Sequence, residues 1–261
     1  MGNNGTFSSE PQNLSRVPST QPILDASRNP IHNQILLGLP QEDQNLLLPH
    51  LEHFRLGLRH VLHEPGDTLR SAYFVNSGLV SLVSVFPDGK CVEVGLVGKE
   101  GFIGLPLVVG FRSANTRAVI QLEASAFRID SEFLSKIISH SRRLYIQLQR
   151  YSQMLGMEVA QIAACNRLHE TLPRLARWLL MSADIVESNY VHLTQESIAG
   201  MLGTRRSSVT VAAGSLESEG LIINSRGKVD IVDRAGLEKA SCDCYKIMRA
   251  QKATWGRESS A

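Results

Sequence analysis

The spacing of hydrophobic residues changes character twice along this chain. Residues 1–30 are rich in Asn, Ser, Gln, Pro and Thr, and we predict a disordered tail there because such a segment buries too little apolar surface. Two short helices joined at Pro40 are predicted over Asn33–His50, and a strand pattern follows from about Leu51 to Ile129, with Val92, Val94 and Leu96 alternating after the turn signal Asp88-Gly89. Many short strands with no long helices between them predict a jelly-roll-like β-barrel within an α+β chain.

A helical period replaces the strand pattern over residues 131–168. One apolar stripe recurs every three or four positions and comprises Leu144, Leu148, Tyr151, Leu155, Val159 and Ile162. The stripe packs either on its own domain or against the same helix of a second copy. Because a stripe this long needs a partner of equal length, the sequence favours a dimer interface formed by these six residues.

The segment from Thr194 to Ala212 has the pattern of two helices joined by a tight turn. Thr194 is suited to cap the first helix, and Ala199 is small where the two helices come close. Gly203 stands where the turn needs a positive φ, and Val209 and Ala212 supply the inner face of the second helix. These offsets predict a helix-turn-helix; the alternative is an ordinary helical hairpin.

The start of the second helix is basic and hydroxyl-rich, and the next acidic residue is Glu217. The first turn of such a helix enters the major groove, where arginine pairs with guanine and short hydroxyls contact phosphates. Strands after Gly220 add a wing to the unit at 169–235, followed by a C-terminal helix and tail at 236–261. The predicted DNA contacts are Thr194, Gln195, Thr204, Arg205, Arg206, Ser207, Ser208, Thr210, Arg226 and Lys228.

Composition narrows the function classes. The chain has 261 residues, a net charge of +2 and four cysteines, which describes an ordinary globular protein of a reducing cytoplasm with no signal peptide or membrane span. The charge alone does not decide whether nucleic acid is bound. We find no Ser-His-Asp set, paired carboxylates or phosphate-cradling loop, so we do not expect an enzyme.

The order of barrel, long helix and winged helix-turn-helix resembles the Crp/Fnr transcription regulators over about residues 33–235. The segments that carry the resemblance are Glu64-Pro65-Gly66-Asp67, Tyr73-Phe74-Val75-Asn76-Ser77-Gly78, Asp88-Gly89, Gly101-Phe102-Ile103-Gly104, Arg112-Ser113-Ala114 and the helix-turn-helix. The resemblance implies a cyclic-nucleotide-binding-like sensor β-roll at 31–130, a dimerisation helix at 131–168, and effector-controlled binding of a homodimer to palindromic double-stranded DNA. RNA polymerase is the further partner we expect.

The resemblance also places an effector site at Gly104, Leu105, Arg112 and Ser113. Cyclic-AMP receptors have a ribose-binding glutamate where this chain has Leu105, so cyclic AMP is not the expected effector. The first cysteine is Cys91, so the N-terminal ligands of an iron–sulfur cluster are absent from the sequence. The effector is therefore unidentified, and we expect no cofactor.

Cys242 and Cys244 suggest a metal dithiolate at first sight. We predict a helix from Asp233 to Ala250, on which residues two apart point away from each other, and this favours ordinary or redox-active thiols over a metal site. The sequence as a whole predicts a DNA-binding transcription regulator. The alternative is a ligand-sensing barrel whose winged helix binds protein.

Overall fold

The structure is a computed structural model that describes residues 23–25, 27–191, 194–225 and 227–259, with side chains as far as Thr254. Its first unit is a six-stranded antiparallel sheet in which β1, β6, β3 and β4 are consecutive neighbours, while β2 pairs with β6 and β5 pairs with β3. The strands are β1 Glu52–Leu56, β2 Val61–His63, β3 Ser71–Val85, β4 Cys91–Val97, β5 Phe102–Ile103 and β6 Arg117–Asp130. The predicted α+β class and jelly-roll-like β-unit are confirmed, although the barrel is not closed.

Short helices precede and interrupt this sheet: α1 Gln34–Leu37, α2 Gln41–Leu47 and α3 Leu105–Val108. The described part of the predicted disordered tail is folded, because Asp25 is buried and accepts hydrogen bonds from the backbone N–H groups of Ser27 and Asn29. Residues 1–22 lie outside the described residues. The disorder prediction is thus wrong for the segment next to α1.

The stretch Asn76-Ser77-Gly78 looks like a turn in the sequence but lies inside the 15-residue strand β3. The pairing of β3 with β6 shifts register here, which marks an irregularity rather than a chain reversal. Gly78 has φ +81°, and a Cβ there would lie 2.2 Å from the carbonyl oxygen of Glu123. Glycine is required at this close approach of two strands.

Two helices, not one, follow the sheet: α4 Ser131–His140 and α5 Arg142–Leu168. Ser141 breaks the helix and caps α5, since its Oγ accepts a hydrogen bond from the backbone N–H of Leu144 at 3.0 Å. The structure buries Leu144, Leu148, Tyr151, Leu155 and Ile162 within the protomer and leaves Val159 partly buried. These side chains pack on their own chain, so the stripe offers a second copy little surface.

The second unit is a winged helix. Its helices are α6 Thr171–Val186, α7 Gln195–Leu202 and α8 Arg206–Ser218, and its strands are β7 Tyr190–Val191, β8 Ile222–Ser225 and β9 Lys228–Ile231. The strands form one antiparallel sheet in the order β7-β9-β8. Among the described residues, no helix is long and apolar enough to cross a membrane.

The chain ends in α9 Arg234–Ala240 and α10 Cys244–Ser259. The continuous helix predicted from Asp233 to Ala250 is wrong, because Ser241 leaves the helical conformation with ψ 157°. Cys242 consequently lies in the connection between the two helices, whereas Cys244 begins α10.

Candidate DNA-binding surface

The turn between α7 and α8 has the conformation that the sequence predicts. Thr194 caps α7 by accepting a hydrogen bond from the N–H of Ser197 at 3.2 Å. Gly203 adopts φ 59° and ψ 39°, and its N–H donates to the carbonyl groups of Ala199 and Gly200. Val209 and Ala212 are buried on the inner face of α8. Their burial fixes the opposite face of α8 towards solvent.

Six of the ten predicted DNA contacts lie in the turn before α8 or in its first two turns. Arg205 is the N-cap residue, and Arg206 opens the helix. Arg205, Arg206, Ser207 and Thr210 are exposed, whereas Thr204 and Ser208 are half-buried. The structure therefore brings these residues together on one surface at the beginning of α8.

Two side chains on α7 adjoin this surface. Gln195 is half-buried, and its Oε1 accepts a hydrogen bond from Thr210 at 2.7 Å, which ties α7 to α8. Glu196 lies 3.8 Å from Nε of Arg206, and both side chains are at least two-thirds exposed. Exposed ion pairs of this kind contribute less than about 1 kcal/mol, so a phosphate or a base can replace Glu196 as the partner of Arg206.

Of the two predicted contacts on the wing, the structure describes Lys228. Arg226 lies outside the described residues. The Nζ atom of Lys228 is 3.0 Å from Oδ1 of Asp230 and 4.9 Å from the ring centre of Tyr190. These contacts hold Lys228 close to its own sheet.

The winged helix docks through its turn on β4 of the six-stranded sheet. A Cβ on Gly203 would lie 3.0 Å from Cγ2 of Val92, and the Cys91 thiol lies 3.9 Å from the carbonyl oxygen of Gly200. Gly203 thus has two reasons to be glycine: a positive φ and a close approach to the other unit. Sequence reasoning found the first and missed the second, because a docking partner leaves no local signal.

A buried carboxyl group lies at the same junction. Glu93 on β4 accepts hydrogen bonds from the Trp178 indole N–H at 2.7 Å and from the Ser81 hydroxyl at 2.6 Å. Burial raises the pKa of Glu93 to about 7, although both hydrogen bonds and the charge of Arg177 lower it. Sequence reasoning overlooked Glu93; a single acidic residue within an apolar strand run was its signal.

The predicted effector residues lie around α3. Gly104 precedes the helix with φ 112°, and Leu105 is half-buried against the hydrophobic core of the first unit. Arg112 and Ser113 are exposed, and their backbone lies beside Thr68 and Leu69. None of these four residues has a carboxylate that could take the place of a ribose-binding glutamate.

Three of the four cysteines come together where the end of α5 meets the start of α10. Cys165 near the end of α5 approaches Cys242 and Cys244, and His169 lies beside them. The sequence-based argument against a shared site for Cys242 and Cys244 fails, because a single helix does not carry both residues.

Comparison with known proteins gives two domain matches on this chain. Residues 53–141 match the cyclic nucleotide-binding domain, and residues 173–240 match the Crp-like helix-turn-helix domain. The two matches fall on the sheet unit and on the winged helix described above.

Curated relatives and a solved structure agree with these matches. The transcriptional regulator LdrP of Thermus thermophilus is 29% identical over 197 residues, covering 71% of this chain and 94% of the relative. The transcriptional regulator SdrP of the same organism is 28% identical over 179 residues, covering 67% and 85%. A crystal structure of a CRP-family transcriptional regulator from T. thermophilus shares the fold, with a TM-score of 0.63, 23% identity and coverage of 72% and 96%.

Proposed function

Because the chain belongs to the Crp/Fnr family of DNA-binding transcription regulators, we propose that it binds a two-fold symmetric operator as a homodimer with α8 in the major groove. Arg206 reads a guanine, while Ser207, Ser208 and Thr210 approach the phosphates or the base edges beside it. The sensor unit adjusts this binding in response to its effector.

One observation carries the proposal: the outer face of α8 is basic, exposed and held in place. Arg205 and Arg206 stand at the end of the helix that carries the positive dipole, where backbone N–H groups also attract phosphate. The Gly203 turn and the buried Val209 fix the direction in which this end points. A protein-binding winged helix needs no such basic end, so DNA is the better partner.

The dimer is formed by the face of α5 that its own chain leaves open. Tyr145, Gly156, Ala160 and Ala163 are exposed, and Gln149 between them is half-buried. These positions are three, four or seven residues apart, so they share one side of the helix. Small side chains at Gly156, Ala160 and Ala163 let two copies of α5 approach closely.

The effector of the sensor unit is not cyclic AMP. A leucine at position 105 cannot accept the hydrogen bonds of the ribose hydroxyl groups, so a polar ligand group would be left unpaired. Isothermal titration with cyclic AMP is expected to show no binding in the micromolar range. Micromolar affinity that disappears in Arg112→Ala would contradict this part of the proposal.

Selection of bound sequences from random duplex DNA provides the operator and tests the function. Affinity for that operator is then measured at several salt concentrations, and its logarithm should fall linearly with the logarithm of salt as counterions are released. The double variant Arg205→Ala/Arg206→Ala is expected to lose selective binding. Arg55→Ala, which removes an exposed arginine from β1, is the matched control and should bind normally. Failure to enrich any sequence would favour the protein-binding alternative.

A further inference from the structure

Four potential metal ligands converge between the end of α5 and the start of α10. Their donor atoms, the sulfurs of Cys165, Cys242 and Cys244 and one ring nitrogen of His169, all lie within 4.8 Å of one another. The three cysteines are buried and His169 is half-buried. Cys91, the remaining cysteine of the sequence, lies on β4 against α7 and takes no part.

The chain path explains how residues so distant in sequence meet. Cys165 lies in the last turn of α5, and His169 is the C-cap residue of that helix, whose backbone N–H donates to the carbonyl oxygen of Cys165 at 3.1 Å. Cys242 is in the connection before α10, and Cys244 is in its first turn, which lets both sulfurs face the end of α5. The cluster thus joins the central helix to the helix that follows the winged unit.

The distances match a single tetrahedral metal ion. A zinc ion bonds sulfur at about 2.3 Å, so the ligand atoms of a tetrahedral site are about 3.8 Å apart. Cys165 Sγ lies 3.5 Å from Cys242 Sγ, and Cys244 Sγ lies 3.7 Å from His169 Nδ1. Small side-chain rotations are enough to close the site. Three thiolates and one imidazole form a donor set that suits zinc.

Charge around the cluster supports the same conclusion. Arg174 and Arg177 are buried, and within the part of the chain that the structure describes neither forms a salt bridge with a carboxylate. The positive charges of both residues act on Cys165 and Cys242. Arg177 also acts on the carboxyl group of Glu93, and the cluster adds to this negative charge, since a zinc ion with three thiolates carries one net negative charge. The Gln161 amide also donates to Cys244 Sγ at 3.1 Å, as outer-shell groups do at metal sites.

We propose that Cys165, His169, Cys242 and Cys244 form a structural zinc site that fastens the start of α10, and the connection before it, to the end of α5. All four positions are filled by the protein, so the site is closed and has no place for a substrate. On binding, each thiol that ionises releases one proton, and neutral His169 donates its lone pair. The metal stays divalent and no electrons are transferred.

Metal content of the full-length protein tests the proposal. We expect one zinc ion per chain after purification in a reductant that does not chelate metals. Cobalt(II), added to metal-free protein, should give the visible absorption of a tetrahedral thiolate complex and saturate at one equivalent. Zinc should then displace cobalt and raise the Tm, because it binds the folded state. Cobalt titration of the unmodified chain decides the question even if substituted chains do not fold.

Single substitutions assign the ligands. Cys165→Ser and Cys244→Ser should weaken zinc binding by more than about 100-fold, the upper range for loss of an outer-shell partner. Cys91→Ser is the matched control and should retain one zinc ion per chain. The proposal is overturned if the reduced chain takes up no cobalt or zinc at one equivalent, or if Cys91→Ser loses metal as the other variants do. Metal-free protein that isolates with a Cys165–Cys242 disulfide, and still binds no zinc after reduction, would also overturn it.

Discussion

At the scale of single residues, Arg206 and Ser208 differ in what their loss should do. Arg206 is the first residue of α8 and 69% of its side chain is exposed, whereas Ser208 is half-buried two positions further on. An exposed guanidinium offers two parallel donors to one guanine. A short hydroxyl near the helix start meets phosphate oxygens, which are the same at every base pair.

Arg206→Ala should therefore cost about 1–3 kcal/mol on the selected operator and relax the preference at one base pair of each half-site. Ser208→Ala should weaken binding to all sequences about equally. Arg205→Ala should reduce the salt dependence without loss of discrimination, because its role is a backbone contact. Affinities for the operator and its single-base variants check all three. Full discrimination by Arg206→Ala at every position would mean that α8 docks differently.

Glu93 gives the stability of the protein a pH dependence. The folded state holds its pKa at about 7, above the ordinary value of 4.5, so the folded state binds the proton more tightly than the unfolded chain. Protonated Glu93 stabilises the folded state fully below pH 4.5. This stabilisation is lost as the pH rises from 4.5 to 7, and the free energy of unfolding falls by on the order of 3 kcal/mol in total. Arg177 and Glu158 also act on this carboxyl group, and a substitution at position 93 leaves both in place.

Glu93→Gln should remove this loss, because a neutral amide can still accept from Trp178 and bond to Ser81. The variant should gain stability relative to the unmodified chain as the pH rises from 5 to 8. Urea unfolding at several pH values measures the difference between the two proteins. A difference that is the same at every pH would show that Glu93 does not titrate in this range.

At the scale of elements, α5 shows what hydrophobic spacing predicts and what it does not. The stripe of Leu144, Leu148 and Leu155 was visible in the sequence, and it is buried. The spacing could not say whether the stripe faces its own sheet or a second copy, because both partners offer the same apolar surface. The open face around Gly156 and Ala160 carries few large side chains, so a search for hydrophobic stripes passes over it.

Ala160→Glu combined with Ala163→Glu should convert the dimer into monomers. The charges would stand within the interface between two α5 helices, where desolvation is costly. Ser139→Glu on the exposed part of α4 is the control with the same type of added charge. Sedimentation velocity reports the result, and a double variant that stays dimeric would place the interface elsewhere.

The winged helix was the most predictable element, because capping, positive φ and inner-face burial are all local requirements. Thr194, Gly203 and Val209 have the positions that the sequence indicates. The grouping of Cys165 with Cys242 was not predictable. It depends on the break at Ser241 and on contacts between segments 77 residues apart in sequence.

At the scale of the whole molecule, the two units share one core. Leu79 and Leu96 of the six-stranded sheet pack in the same hydrophobic cluster as Trp178, Leu202 and Val209 of the winged helix. If one unit unfolded alone, the apolar surface that the other unit buries against it would be exposed to water. We expect a single cooperative transition for the full chain.

Trp178→Phe tests this cooperation. It keeps a buried aromatic ring but leaves Oε1 of Glu93 without its donor, at a cost of about 1–3 kcal/mol. Calorimetry should show a single unfolding transition at a lower temperature than that of the unmodified chain. Two separate transitions, with only one of them moved, would mean that the units fold independently.

The contact between Gly203 and Val92 also limits how such a protein can be recombined. A chimaera that receives the winged helix of a relative will carry a turn between α7 and α8 whose shape fits the β3–β4 hairpin of that relative. Exchange of residues 169–235 alone therefore places a foreign surface against Cys91, Val92 and Glu93. A new operator specificity is therefore better introduced by substitutions on the exposed face of α8. The alternative is to transfer β3, β4 and the winged helix together from the same relative.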